Sequence, residues 1–113
     1  MSVKNSVYAI PLEVFDTAVL DGTYEAINVN GIPNACFLIR ITNATNVGLT
    51  ISLDGVHDHE YIAEGAVIDL AVQTNSQPNN QTALWKKGQV FYVNGTSATG
   101  NIYVSGYFQP IAN

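Results

Sequence analysis

A chain of 113 residues is the size of one domain, able to bury roughly two-thirds of the surface its unfolded form exposes. Its formal net charge of −5, with only four Lys and Arg, excludes a nucleic-acid partner as the expected ligand, because phosphate binding relies on clustered cations. No stretch approaches the roughly 20 apolar residues that cross a bilayer, so no membrane partner is expected, and the single cysteine, Cys36, cannot form an intramolecular disulfide.

The start, Met1-Ser2-Val3-Lys4-Asn5, has neither the basic opening nor the apolar run of a secretory signal, and synthesis in the cytoplasm without secretion is expected. Eight short runs rich in Val, Ile, Tyr, Phe and Thr follow in order, near residues 7–15, 17–20, 24–29, 35–42, 48–53, 66–72, 89–93 and 101–108. Turn clusters separate them, and no long segment keeps the 3.6-residue period of an amphipathic helix. The expected fold is all-β: one domain over 1–113, an antiparallel two-sheet sandwich, jelly-roll-like, of about eight strands.

Strand faces can be read from the period of two. Cys36 to Ile41 is apolar on both sides, as in a central strand covered on both faces, and Arg40 interrupts it. Two readings of Arg40 stand side by side: an edge position paired with a carboxylate, or an interface anchor. In 48–53, Leu49, Ile51 and Leu53 are expected inside, Thr50 and Ser52 outside. In 66–72, Ile68, Leu70 and Val72 share a face opposite Asp69. In the last run, Ile102, Val104, Gly106 and Phe108 share a face, whereas Tyr103, Ser105 and Tyr107 form a second one too aromatic to be left fully wet, a candidate contact surface. Asp21-Gly22, Asn30-Gly31, Asp54-Gly55, Glu64-Gly65 and Asn94-Gly95 supply the positive φ angles of tight reversals. Residues 73–83 form the one long polar stretch, an expected exposed loop, and 94–100 reads as a hairpin loop.

Charged residues make up 12% of the chain, against roughly 25% in an ordinary soluble domain. Asn, Gln, Thr and Ser carry the polarity instead, and they can hydrogen-bond across a contact without the desolvation cost of a buried ion. An exterior so poor in ions is expected to be covered in an oligomer or a larger assembly; the bland alternative is a monomer with a neutral polar surface.

The sharpest chemical cluster is Asp54-Gly55-Val56-His57-Asp58-His59-Glu60. On an extended segment His57 and His59 point the same way, and with Asp54 or Glu60 they could supply three ligands to zinc or nickel. No other histidine exists to close such a site, and a surface turn is the favoured reading. No metal, cofactor or catalytic residue is expected. A nucleophile elbow is missing, a facing carboxylate pair would need a cleft, and 94–100 lacks the Lys-Ser/Thr ending of a phosphate-binding loop. Lys86 and Lys87, near Trp85 and Phe91, are too few for a basic track.

The phrasing of the second half, Ile51-Ser52-Leu53-Asp54-Gly55, His57-Asp58-His59-Glu60-Tyr61-Ile62, Trp85-Lys86-Lys87-Gly88 and Gly100-Asn101-Ile102-Tyr103-Val104-Ser105-Gly106-Tyr107, resembles small β-sandwich structural proteins of tailed-bacteriophage virions, especially head cement or decoration proteins. The resemblance implies a non-enzymatic virion subunit that clamps neighbouring major capsid proteins, and a homo-oligomer, in many such proteins a trimer. On this reading the interface residues are Tyr103, Tyr107, Arg40, Trp85 and Tyr61. Two alternatives accompany it: a tail, baseplate or fibre subunit, and a carbohydrate-binding module in which Trp85, Tyr103, Tyr107 or Tyr61 stack on sugar rings. A metal-dependent enzyme built on His57 and His59 is a third.

Overall fold

The computed structural model describes residues 7–71 and 84–108. The expected loop at 73–83, the inward position of Val72 and the opening Met1–Asn5 lie outside the described residues. Nine strands run in chain order: β1 (Tyr8–Ala9), β2 (Glu13–Asp16), β3 (Glu25–Ala26), β4 (Leu38–Thr45), β5 (Leu49–Ser52), β6 (Glu60–Ile62), β7 (Val67–Ala71), β8 (Tyr92–Asn94) and β9 (Gly100–Phe108). β1 and β2 both pair with β9 and share one edge, so nine strands fill eight positions. One antiparallel sheet has the order β1/β2-β9-β4-β7 and the other β3-β8-β5-β6. Successive positions alternate between the sheets, except for the β5–β6 hairpin, which is the order of a jelly roll.

The expected strand at 17–20 is instead a 3₁₀ turn, Thr17–Val19. The Asp16 carboxylate accepts the Ala18 N–H, and the buried Thr17 hydroxyl donates to the Gly100 carbonyl at 2.8 Å. Local side-chain hydrogen bonds of this kind compete with a ladder. Conversely, β6 lies where the sequence reads as the end of a turn, because a three-residue strand shows too little alternation to be seen. The segment 95–99 is not a hairpin loop: β8 and β9 belong to different sheets, and the segment crosses between them. Four of the five expected turn glycines have positive φ; Gly95 does not, and Gly88 and Gly100 do. At Gly100 (φ +116) a Cβ would also collide with the Ala44 carbonyl oxygen, so β4 and β9 meet there closely enough to demand glycine.

Ile39 and Ile41 of β4 with Ile102 and Val104 of β9 line one wall of the core, and Leu49, Ile51, Ile62 and Val93 line the other. Gly106 continues the inward face of β9. A Cβ at this position would lie 2.9 to 3.2 Å from Ile39, Ile10 and Cys36, so the missing side chain makes the space those three fill. Cys36 is fully buried, and burial raises its thiol pKa, as expected for a small core residue. Ser52 departs from the expected pattern: it faces away from the core yet is buried, because the Asp54-Gly55 turn folds over it. Its hydroxyl donates to the Asp54 carboxylate and accepts the Gly55 N–H, both at 2.9 Å.

Two buried asparagines replace backbone pairing where strands end. Asn28 donates to the Gln89 carbonyl and accepts the Phe91 N–H, extending the β3–β8 edge by a side chain. Asn43, on the inward face of β4, donates to the carbonyls of Val47, Ile62 and Ala63 at 2.9 to 3.1 Å and accepts from the Thr45 N–H and hydroxyl. It ties one sheet to the last residues of β6 in the other. Asn43→Ala takes the acceptor from the buried Thr45 N–H and the amide from the Ile62 carbonyl, whereas the Val47 and Ala63 carbonyls keep the Thr45 hydroxyl and the Ala66 N–H; orphaned buried groups cost about 1–3 kcal/mol each. The variant is expected to lose about 3 kcal/mol in all, read as a fall of more than about 10 °C in thermal midpoint; a change within about 0.5 kcal/mol would show that water replaces the amide.

Candidate functional site

Because β9 buries Ile102, Val104 and Gly106, the alternation sends Tyr103, Ser105 and Tyr107 to the outer face. Registry with the neighbouring strands extends this face into rows. Tyr103 pairs with Val14 on one side and Thr42 on the other, and Thr42 pairs with Val67. Tyr107 lies between Ala9 and Leu38, and Leu38 pairs with Ala71. Between these two rows runs Ser105–Arg40–Asp69. Val14 is 51% exposed and Val67 50% exposed, while both tyrosines are half-buried by their neighbours. The outcome is an aliphatic and aromatic sheet face with a polar strip through its middle.

Arg40 has the carboxylate partner that one of its sequence readings expects, but not the edge position that went with it. Its guanidinium holds Asp69 through Nε at 2.7 Å and Nη2 at 3.2 Å, a bidentate pair on adjacent strands. Yet β4 is an interior strand, flanked by β9 and β7, so the pair stands at the centre of the face and not at an edge. The hydrogen bond from Arg40 holds the Asp69 carboxyl below the ordinary range, and the same contact raises the Arg40 pKa. Mutual neutralisation leaves this sheet face easier to strip of water than two separate charges would. Leu38 shows why the central run reads as apolar on both sides: it belongs to this outer face, covered only in part.

Trp85 and Tyr61 lie elsewhere. Trp85 forms an isolated bridge with Cys36, donates its indole N–H to the Leu70 carbonyl at 2.9 Å and sets its ring edge-on to Phe91 at 5.5 Å; it closes one end of the core. Tyr61 is 64% exposed and stands on the outer face of the other sheet, in the row with Thr50 and Asn94. The two therefore do not join Tyr103 and Tyr107 in one surface. Trp85→Ala is expected to lower unfolding free energy by about 3 kcal/mol, as large aromatic truncations do, and Tyr61→Ala by less than about 1 kcal/mol; chemical denaturation of both variants checks the order.

In the 54–59 turn, the Asp54 carboxylate accepts from the Val56 and His57 N–H groups and meets the His57 ring at 2.9 Å. The His59 Nδ1 accepts the Leu53 N–H at 2.9 Å, and Tyr24 donates to Asp58. Each group fastens the turn. The two imidazole centroids are 6.2 Å apart, and no cluster of three or more His, Cys, Asp or Glu side chains able to hold a metal occurs among the described residues. The His57 ring and then the backbone N–H groups hold the Asp54 carboxyl far below the ordinary carboxylate range. Its part in the turn is thus complete above the unfolded-state value of about 3.9 and is lost only as pH falls through the lower folded value. The Asp54 carboxyl carbon resonance is expected to remain that of a carboxylate at pH about 3.9, where an unperturbed aspartate is half protonated; half-titration there would mean that the turn is not formed.

Beside the turn an open hollow of about 190 Å³ is lined by Leu53, Asp54, Lys86, Gly88, Gln89, Val90 and Tyr92. Its polar groups are largely committed: Gln89 donates to the Leu53 and Val90 carbonyls, and Gly55 lies against the Tyr92 ring. Val14, Leu38 and Val67 are members of the outer face that the sequence reading did not single out. The signal was their registry with Tyr103 and Tyr107, which alternation inside one strand does not contain. Comparison with protein-family models, with curated proteins and with solved structures finds no match to this chain.

Proposed function

We propose that the protein is a non-enzymatic structural subunit of a tailed-phage virion, a cement or decoration protein that stabilises neighbouring major capsid proteins as part of a homo-oligomer. The observation that carries adhesion as its task is the outer face of the β1/β2-β9-β4-β7 sheet, where Tyr103 and Tyr107 stand among Val14, Leu38 and Val67 around a neutralised ion pair. A face of this composition matches the centre of a protein interface, where aromatic residues and Arg are enriched and unpaired charge is depleted. The jelly roll is also a frequent architecture of viral capsid domains, and the low charge of the whole chain fits a surface contacted repeatedly. The virion setting itself rests on the resemblance of the second half to phage head proteins.

The sugar-binding alternative has less support from the geometry. Trp85 is partly buried against the core, with its indole N–H bound to the Leu70 carbonyl and its ring set on Phe91, and Tyr103 and Tyr107 stand on a broad strand surface instead of in a groove. The test is incorporation: Tyr103→Asp/Tyr107→Asp is expected to keep the far-ultraviolet circular dichroism of the parent while disappearing from assembled particles, and Tyr61→Asp, on the opposite face, is expected to incorporate normally. A folded double variant found in particles at the parental level would remove this face from the function.

A further inference from the structure

Resting on the reading of this sheet face as a docking surface, we infer that its occupant is a second copy of the same chain, docked face to face about a two-fold axis that runs parallel to the strands between β4 and β9.

An axis in that position folds every cross-strand row onto its own reverse. The row Val14–Tyr103–Thr42–Val67 then meets Val67–Thr42–Tyr103–Val14 of the other copy. Valine lies over valine at both ends, and each large tyrosine lies over a small threonine. The row Ala9–Tyr107–Leu38–Ala71 behaves in the same way, with alanine over alanine and tyrosine over leucine. In the polar strip Arg40 comes to face Ser105, its partner by registry within one copy. Arg40 has five N–H donors, of which two are met by Asp69, and Ser105 can accept another. Large residues facing small ones are what two interdigitating sheets require, and an isologous contact requires a surface complementary to itself. The tyrosine-over-threonine contacts meet the first condition, and the pairing of like with like at the row ends, with Arg40 over Ser105, meets the second about the same axis. An axis between β4 and β7 would place Arg40 over Asp69 but would push Tyr103 and Tyr107 beyond the far edge, leaving the aromatic part of the face uncovered.

The size is adequate. Four strand positions about 4.8 Å apart and the eight residues of β4 at about 3.3 Å each give a footprint of about 500 Å². Counted on both copies this is about 1,000 Å², the size that a specific interface has to clear.

The test is a charge cycle at the two ends of one row, read by sedimentation velocity on the purified full chain. The parent is expected to sediment at twice the 12.2 kDa chain mass. Val14→Lys and Val67→Glu each place a charge against a facing valine and are expected to weaken dimerisation about 30-fold or more, the fold-change that follows from truncating or unpairing an interfacial charge. Combining both substitutions in one chain is expected to restore the dimer, because the lysine introduced by the first in each copy then faces the glutamate introduced by the second in the other. Within one copy Val14 and Val67 are three strand spacings apart, about 14 Å, so an internal pair cannot produce that rescue. Near-parental circular dichroism of the double variant shows that folding is intact. A monomeric parent, a trimer, single variants that dimerise like the parent, or a double variant that fails to recover each overturn the inference. If the parent is monomeric but Tyr103→Asp/Tyr107→Asp still drops out of particles, the docking face stands and its occupant is another virion protein. If the dimer follows the cycle but the tyrosine variant incorporates normally, the dimer stands and the virion role of this face falls.

Discussion

The ladder between β4 and β9 is the constraint on which the rest of the molecule depends. Eight residue pairs, from Leu38 with Tyr107 to Thr45 with Gly100, join the middle of the chain to its end. One side of this ribbon supplies Ile39, Ile41, Ile102 and Val104 to the core; the other supplies Arg40, Tyr103 and Tyr107 to the surface. A slip of one residue would exchange the two sets. Register is therefore fixed by burial, and Gly100 fixes it further, since a Cβ there would strike the Ala44 carbonyl oxygen. Contacts so distant in sequence are costly in loop-closure entropy before packing rewards them, so this ribbon is also where slow folding is expected to be decided.

Polar groups inside the sandwich serve one structural purpose: they complete hydrogen bonds where strands stop. Asn43 serves the ends of β4 and β6, Asn28 the edge beside β8, Thr17 the start of β9, and Ser52 with Asp54 the turn after β5. No buried side-chain nitrogen or oxygen lacks a partner among the described residues. This explains how a chain with so few charges remains rich in Asn, Thr and Ser: many of those side chains stand in for backbone partners that short strands cannot supply. The histidine-rich turn belongs to the same pattern, with each ring tied to its own loop and none directed at a common centre.

The outer sheet face follows from the same ribbon. Its aromatic members are side chains that alternation excludes from the core, and its one central ion pair is internal, bidentate and shared by adjacent strands. The face thus stands on the eight-pair ladder between β4 and β9. A docking face on a long paired ladder loses less conformational freedom on binding than one made of loops, which supports the docking role proposed for it.

The sequence by itself determined the all-β class, the two-sheet architecture and the separate faces of β7 and β9, because a period of two is a local property that backbone pleating imposes. It also placed Tyr103 and Tyr107 on a face apart from the core, and one of its two readings of Arg40 paired the residue with a carboxylate, though at a sheet edge and without naming Asp69. Only the tertiary structure decided which strands are neighbours. Registry is set by packing between distant segments, and so the rows that join Val14, Tyr103, Thr42 and Val67, the central position of Arg40, and the packing of Trp85 against the core could not be read along the chain. The same holds for β6 and for buried Ser52, where a three-residue strand and a folded-over turn owe their form to partners that the local pattern does not contain.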